Sequence, residues 1–206
     1  DHAGSAASTL GHPASPLIAG FEFQAGRRMY RPDLSTTLPG RLAVVTCYFN
    51  PSDSAPRLHN YQEFARQLET RGGDLWTVEG AFGEQPFQLP AGPRMLQLRS
   101  PDWLWPKEQA LNILIRRLPP EYDKVAWVDA DVVFDNPRWV ADVSAALEQD
   151  PVVQPFSEVL WLDEAGQPQS SPPSVVADPR GGLPGLAWAA RRDLVQRWGL
   201  YAADAS

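Results

Sequence analysis

Along this chain, apolar and polar positions alternate between two periods, and the switches predict an ordered series of strands and helices. Arg41-Leu42-Ala43-Val44-Val45-Thr46-Cys47-Tyr48-Phe49 is a nearly continuous apolar run. Such a run suits a parallel strand covered on both faces. Asn50-Pro51-Ser52 ends it as a turn. Asn60-Tyr61-Gln62-Glu63 reads as a capping box, and Tyr61, Phe64, Ala65 and Leu68 follow at helical spacing to the Gly72-Gly73 stop. Leu75–Glu79 predicts a second strand, and the short connections predict a right-handed βαβ unit. Met95–Arg99 alternates like an edge strand, and a helix is predicted from about Pro106 to Leu118, closed by Pro119-Pro120. Val125–Val128 is a short buried strand, and a helix starting near Pro137 turns Trp139, Val140, Val143 and Leu147 inward. Val152–Phe156 predicts another strand. A long Pro/Ser/Gln/Asp-rich connection spans Trp161 to Gly182, a length at which loops are commonly lids or disordered. The Gly181–Gly185 segment predicts close backbone approach; Leu186–Ala190 is a small-residue strand, and Arg191–Trp198 a final helix stopped by Gly199.

Composition narrows this picture. At 206 residues the ordered part amounts to one medium domain, with residues 41–206 forming it and residues 1–40 reading as a flexible Ala/Ser/Gly/Pro arm followed by a peripheral strap. A net charge of −7 argues against general nucleic-acid or anionic-membrane binding, but not against an anion held through a metal. The single cysteine, Cys47, excludes a disulfide framework and predicts a reducing, cytoplasmic setting. No apolar run reaches the ~18 residues of a membrane span, and the N-terminus does not read as a signal peptide. Lys107 and Lys124 are the only lysines among many arginines, the bias expected of a GC-rich bacterial genome.

The chemistry is concentrated at Val125–Pro137, V-A-W-V-D-A-D-V-V-F-D-N-P. Asp129 and Asp131 interrupt an apolar run, where carboxylates are costly unless paired or bound to a cation. At the carboxyl end of a strand, two acids one residue apart can hold a divalent ion that clamps phosphate oxygens. They can equally be turn and cap residues together with Asp135 and Asn136. Lys107 lies on the sector of its helix that faces the core, flanked by Glu108 and Asn112. A lysine in a first turn is opposed by the helix dipole, so either an anion waits at the sheet edge or its stem snorkels over the core. The three histidines read as arm or surface residues.

Four blocks in order, V-V-T-C-Y-F-N-P, W-P-K-E-Q-A-L-N, V-A-W-V-D-A-D-V-V-F-D-N-P and G-L-P-G-L-A-W-A-A-R-R-D-L, make residues 42–201 resemble GT-A-fold glycosyltransferases. The likeness is to bacterial and phage family-2-like enzymes and, more distantly, to galactosyltransferases. It implies an α/β fold, a mixed, mostly parallel sheet flanked by helices. It also implies metal-dependent transfer of a hexose from a nucleoside-diphosphate sugar, UDP-linked, to an acceptor hydroxyl of a carbohydrate, with inversion. By the same resemblance Thr46, Tyr48 and Asn50 hold base and ribose, with Glu79 in the same pocket. Lys107 and Asn112 lie near the donor, and Asp129 bonds ribose or donor sugar. Asp131, with Asp129, ligates Mn²⁺ or Mg²⁺; Gly185 borders the sugar and Trp188 the acceptor. The general base of these enzymes follows the segment matching Gly199-Leu200-Tyr201. It is therefore expected beyond Ser206, which makes the chain a C-terminally truncated one on this reading; Asp204 is a poor substitute. Two other readings remain. One is a non-catalytic nucleotide-sugar-binding module. The other is a haloacid-dehalogenase-type phosphatase, disfavoured because its D-x-D stands on the first strand and because no lysine follows Asp131.

Overall fold

The computed structural model describes residues 38–101, 107–163 and 167–200. The arm and most of the strap, Pro106, Tyr201 and Asp204 lie outside them. The chain order is β1 (Arg41–Phe49), α1 (Ala55–Thr70), β2 (Asp74–Phe82), β3 (Met95–Ser100), α2 (Lys107–Arg117), β4 (Tyr122–Val128), α3 (Trp139–Ala146), β5 (Val152–Val153), β6 (Trp161–Leu162), β7 (Pro168–Ser170), β8 (Ala187–Arg191) and α4 (Arg192–Trp198).

Six strands form one sheet in the order β3-β2-β1-β4-β8-β5, and β6 and β7 form a separate antiparallel pair. The contacts β1–β2, β1–β4 and β2–β3 are parallel, whereas β8 runs antiparallel to both β4 and β5. This is the mixed, mostly parallel sheet flanked by helices that the resemblance implies. From β1 the chain moves outward to β2 and β3, then returns to β1's other side as β4. The order therefore reverses between β1 and β4, and a crevice at such a switch point is where open α/β sheets bind ligands.

Strand alternation assigns the two faces. Ala43, Val45, Cys47, Val78 and Val125 pack against Leu111, Leu114, Ile115 and Leu118 of the α2 region and Val195 of α4. Leu42, Val44, Ala126 and Val128 pack on the other side against Phe64 and Leu68 of α1 and Trp139, Val143 and Leu147 around α3. Each fully buried aliphatic or aromatic side chain contributes about 1.5–3 kcal/mol of transfer free energy, so these two clusters supply most of the drive to fold. α4 is tied to α2 by a buried cation. Arg192 donates to the carbonyls of Pro119 (2.7 Å), Tyr122 (2.9 Å), Ile115 (3.2 Å) and Leu118 (2.5 Å). Those are carbonyls left open where α2 ends, and a cation there also suits the helix dipole.

Three expectations need correction. α1 begins at Ala55, five residues before Asn60, because Ser54 is the N-cap, accepting from the Arg57 amide at 3.4 Å, and Pro56 sits in the first turn. Asn60 is therefore mid-helix, and His59 is an exposed residue of the helix itself. Beyond β4, Val132 and Phe134 pack on the cluster around α3, where Phe134 stacks on Trp139 at 4.1 Å. β5 ends at Val153, because the buried Gln154 turns to donate to the Leu183 carbonyl (2.9 Å) and to accept from the Val176 amide (3.3 Å). The long connection holds the β6–β7 pair and folds onto itself through Ser174, Val175 and Gly182. Among the described residues no helix is long and apolar enough to cross a membrane.

Candidate functional site

β4 delivers Asp129 to the carboxyl edge at the switch point. The Asp129 amide donates to the Leu186 carbonyl at 2.8 Å, and the Asp129 carbonyl accepts from Val132 at 3.3 Å, so the D-A-D segment is a turn pinned to the start of β8. Leu186 has φ +73°, a left-handed conformation that a branched side chain seldom adopts. Strain of this kind persists only where surrounding contacts impose it, and it clusters at ligand sites.

The anion facing Lys107 is Asp129. The ammonium and the carboxylate form an ion pair, each side chain about a third exposed (36% and 32%). An anion at the sheet edge and a stem lying over the core both remain compatible with this pair, since the ammonium is partly exposed. Asp131, two residues on, is exposed and has no hydrogen-bond or ion-pair partner among the described residues. Asp129 and Asp131 thus differ in charge state of their surroundings: one is neutralised from within, the other is open.

A second group lies at the ends of β1 and β2. Tyr48 and Tyr61 pack with ring centroids 4.9 Å apart, and the Tyr61 hydroxyl shares a hydrogen bond with the Thr77 hydroxyl at 2.9 Å. Burial pushes both phenols above their ordinary pKa. Glu79 is buried at 2% exposure, and its carboxylate accepts from the amides of Gln88 (2.5 Å) and Leu89 (3.2 Å) and from the Gln97 side chain (3.0 Å). These neutral donors make its burial tolerable. Asn50 accepts from the Ser54 amide (2.9 Å) and donates to the Ser54 carbonyl (3.0 Å), closing the turn after β1. Beside these residues is a cavity of about 190 Å³, lined by Asn50, Asp53, Glu79, Gln85, Pro86 and Gln88 among others. Ala130 of the D-A-D turn packs against the cluster of Tyr48, Tyr61 and Leu89, so the two groups are contiguous.

Other expected site residues have different surroundings. Thr46 is fully buried, and its hydroxyl donates to the Val128 carbonyl at 2.7 Å, joining β1 to β4 beneath the edge. Asn112 donates to the Leu200 carbonyl (2.9 Å) and accepts from the Leu200 amide (2.8 Å), so its amide holds the backbone after α4. Gly185 has open space where a side chain would stand. The close approach predicted for this segment falls at Gly182, where a Cβ would lie 2.1 Å from the Ser174 carbonyl oxygen. Trp188 pairs with Trp127 across β4 and β8, partly exposed, and its indole donates to the Pro184 carbonyl at 2.7 Å. Asn136 behaves as a cap, accepting from the Arg138 amide at 2.9 Å.

No group of three or more His, Cys, Asp or Glu that could hold a metal ion occurs among the described residues. Asp129 and Asp131 do fit the mode in which a hard cation is bound by one or two carboxylates plus substrate phosphates, because Asp131 is open to solvent. The residues missed in the sequence are Asp53, Gln88 and Gln97. Gln88 sits in the Pro/Gly-rich passage G-E-Q-P-F-Q-L-P, which has no periodicity to orient it.

No family model matches the chain, and no curated protein matches it. Similar solved structures include a 4-diphosphocytidyl-2C-methyl-D-erythritol synthase from Anaerococcus prevotii, at 9% identity, 77% of this chain, 73% of that one and a TM-score of 0.47. A CMP:2-keto-3-deoxy-manno-octonic acid synthetase in complex with CTP is 13% identical, covers 77% of each chain and scores 0.44. The catalytic domain of Drosophila β1,4-galactosyltransferase 7 with xylobiose is 14% identical over 77% of this chain and 51% of that one, and scores 0.37. At such scores the fold is argued from the sheet itself. The order β3-β2-β1-β4 in parallel, with β8 reversed beside β4 and an acidic turn at the switch point, is a mixed, mostly parallel α/β sheet of the kind that the GT-A resemblance implies.

Proposed function

We propose that this chain moves a hexose from a UDP-linked sugar to an acceptor hydroxyl of a carbohydrate, with inversion by direct displacement. The observation that carries the reading is the set at the switch point: Lys107 paired with Asp129, and Asp131 open beside them. The donor's diphosphate must approach an acidic protein, and it does so where one carboxylate is already neutralised. Lys107 would face the diphosphate, and Asp129 would take a ribose or donor-sugar hydroxyl. Asn50 and Glu79 line the cavity that would take the base, with Tyr48 hydrogen-bonded to Gln88 of its wall, and the open side of Gly185 would leave room for the sugar. Trp188, partly exposed on β8, would meet the acceptor. Asp131, with Asp129, would hold Mn²⁺ or Mg²⁺, which when bound supplies Lewis-acid neutralisation of the departing diphosphate. Thr46 and Asn112 support the edge without touching the donor. A cytoplasmic setting agrees with the single, buried Cys47.

Calorimetric titration of UDP with Mn²⁺ tests this. Asp131→Asn keeps the shape but removes the open charge, and the Mn²⁺-dependent part of UDP binding is expected to vanish, with a smaller loss for Asp129→Asn. Equal UDP–Mn²⁺ affinity for wild type and Asp131→Asn would overturn the assignment.

A further inference from the structure

The side chains at the ends of β1 that could read a base are already engaged by one residue of the same chain. The Gln88 carboxamide oxygen accepts from the Tyr48 hydroxyl at 2.7 Å and from the Asn50 amide nitrogen at 3.0 Å. Its nitrogen donates to Asp53 Oδ1 at 2.6 Å, and its backbone amide donates to Glu79 at 2.5 Å. The orientation of the carboxamide is fixed by chemistry. Asp53 can only accept, and Asn50 must present its nitrogen because its oxygen receives the Ser54 amide. Three of the four hydrogen bonds a carboxamide can make are formed. The cavity beside it, about 190 Å³, is smaller than the ~300–1,000 Å³ of sites that hold whole small molecules, and suits one ring.

We propose that Gln88 is an internal occupant of the base site, a competitor built into the chain that a nucleobase must displace by offering an acceptor beside an N–H. The inference rests on the transferase reading above and adds a competitor to its donor site. A carboxamide offers O=C–N–H to Tyr48, Asn50 and Asp53. Uracil offers the same edge through its carbonyl and N3–H, and guanine through O6 and N1–H. Cytosine offers an equivalent acceptor–donor pair through N3 and its 4-amino group, and adenine through N1 and its 6-amino group, so the hydrogen-bond set admits any base edge of this kind. Because Gln88 competes with the ligand, apparent affinity is reduced by the fraction of molecules in which the site is open.

The test is calorimetric titration of the chain with UDP, GDP, CDP and ADP, each with Mn²⁺, using wild type, Gln88→Ala and Gln88→Glu. Gln88→Ala is expected to tighten the preferred diphosphate by about tenfold, as removal of an internal competitor requires. Gln88→Glu preserves side-chain shape but sets a carboxylate against Asp53, so it also opens the site and serves if the alanine variant fails to fold. Unchanged or weakened binding of that diphosphate in both variants would overturn the proposal. If none of the four diphosphates binds, the transferase reading falls with it. If one of them binds in an Asp131-dependent way and neither Gln88 variant tightens it, only the role of Gln88 falls.

Discussion

Replacing Lys107 by methionine separates two roles for this lysine, because the stability and binding consequences have different sizes. In the folded chain its ammonium pairs with Asp129, each side chain about a third exposed. A pair that solvated is worth only about 0–1 kcal/mol. For a domain of this size each kcal/mol moves Tm by about 2–4 °C, so the variant should melt within about 4 °C of wild type. Methionine retains most of the apolar stem, which keeps packing losses small. Binding is another matter. The variant presents Asp129 unneutralised to an arriving diphosphate. A full charge at 4 Å in a surface-like medium interacts by up to about 4 kcal/mol. Solvent exposure at this site lowers that to roughly 1.4–2.8 kcal/mol, a tenfold to hundredfold loss of affinity. Calorimetry with UDP and Mn²⁺ at low salt and at about 0.15 M, where screening acts within ~8 Å, should show the loss shrinking as salt rises. A Tm fall well beyond about 5 °C with unchanged UDP affinity would refute the argument and make Lys107 a structural lysine.

Two further outcomes follow from buried polar groups. Arg192→Met strips the guanidinium from the carbonyls of Ile115, Leu118, Pro119 and Tyr122, and chemical denaturation should show a loss of about 2–4 kcal/mol; a loss under ~1 kcal/mol would mean water replaces it freely. Burial raises the Tyr61 phenol above its ordinary value of 10.0, so the unfolded chain loses this proton first. That stability is intact below pH 10.0 and falls as pH rises through and beyond it, until the folded phenol also ionises. Tyr61→Phe should therefore flatten the decline of Tm above that pH, and identical slopes for the two proteins would refute the assignment.

Much of this was legible in the sequence because the relevant signals are local. The nine-residue run of β1 and the wheel face of α2 are set by apolar periodicity, and both elements appear where that periodicity puts them. That Lys107 sits beside the sheet edge was readable from its wheel position, whereas its pairing with Asp129 was not. What the sequence does not display is governed by distant backbone. Thr46 looks like a strand-end donor, but only the register of β1 on β4 brings the Val128 carbonyl to its hydroxyl. Asn112 looks like a ligand residue, but an unbonded Leu200 backbone, displaced from helix geometry by Gly199 at φ +71°, claims both ends of its amide. The start of α1 was misplaced because Asn60 and Glu63 imitate a capping box; the competing Ser54 cap with Pro56 behind it wins. Gln88 was invisible, since a residue in an aperiodic loop has no face until the loop is closed on Glu79.

The two halves of the carboxyl edge share one physical arrangement. In each, the groups suited to a charged or polar ligand are satisfied by a side chain of the protein itself: Asp129 by Lys107, and Tyr48, Asn50 and Asp53 by Gln88. The buried Tyr48 hydroxyl left unpaired would cost about 1–3 kcal/mol, whereas the exposed Asp53 and the solvated Lys107–Asp129 pair add little. The consequence is that ligand binding at this edge is an exchange of hydrogen bonds and not a net gain of them. Affinity then depends on what the protein's own groups cannot supply: a second phosphate charge for Lys107 and ligands for whatever cation Asp131 attracts. Ala130, packed against the Tyr48–Tyr61–Leu89 cluster, mechanically joins the halves. Displacing Gln88 from Tyr48 therefore disturbs the same packing that holds the D-A-D turn, and base binding and diphosphate binding should be energetically coupled.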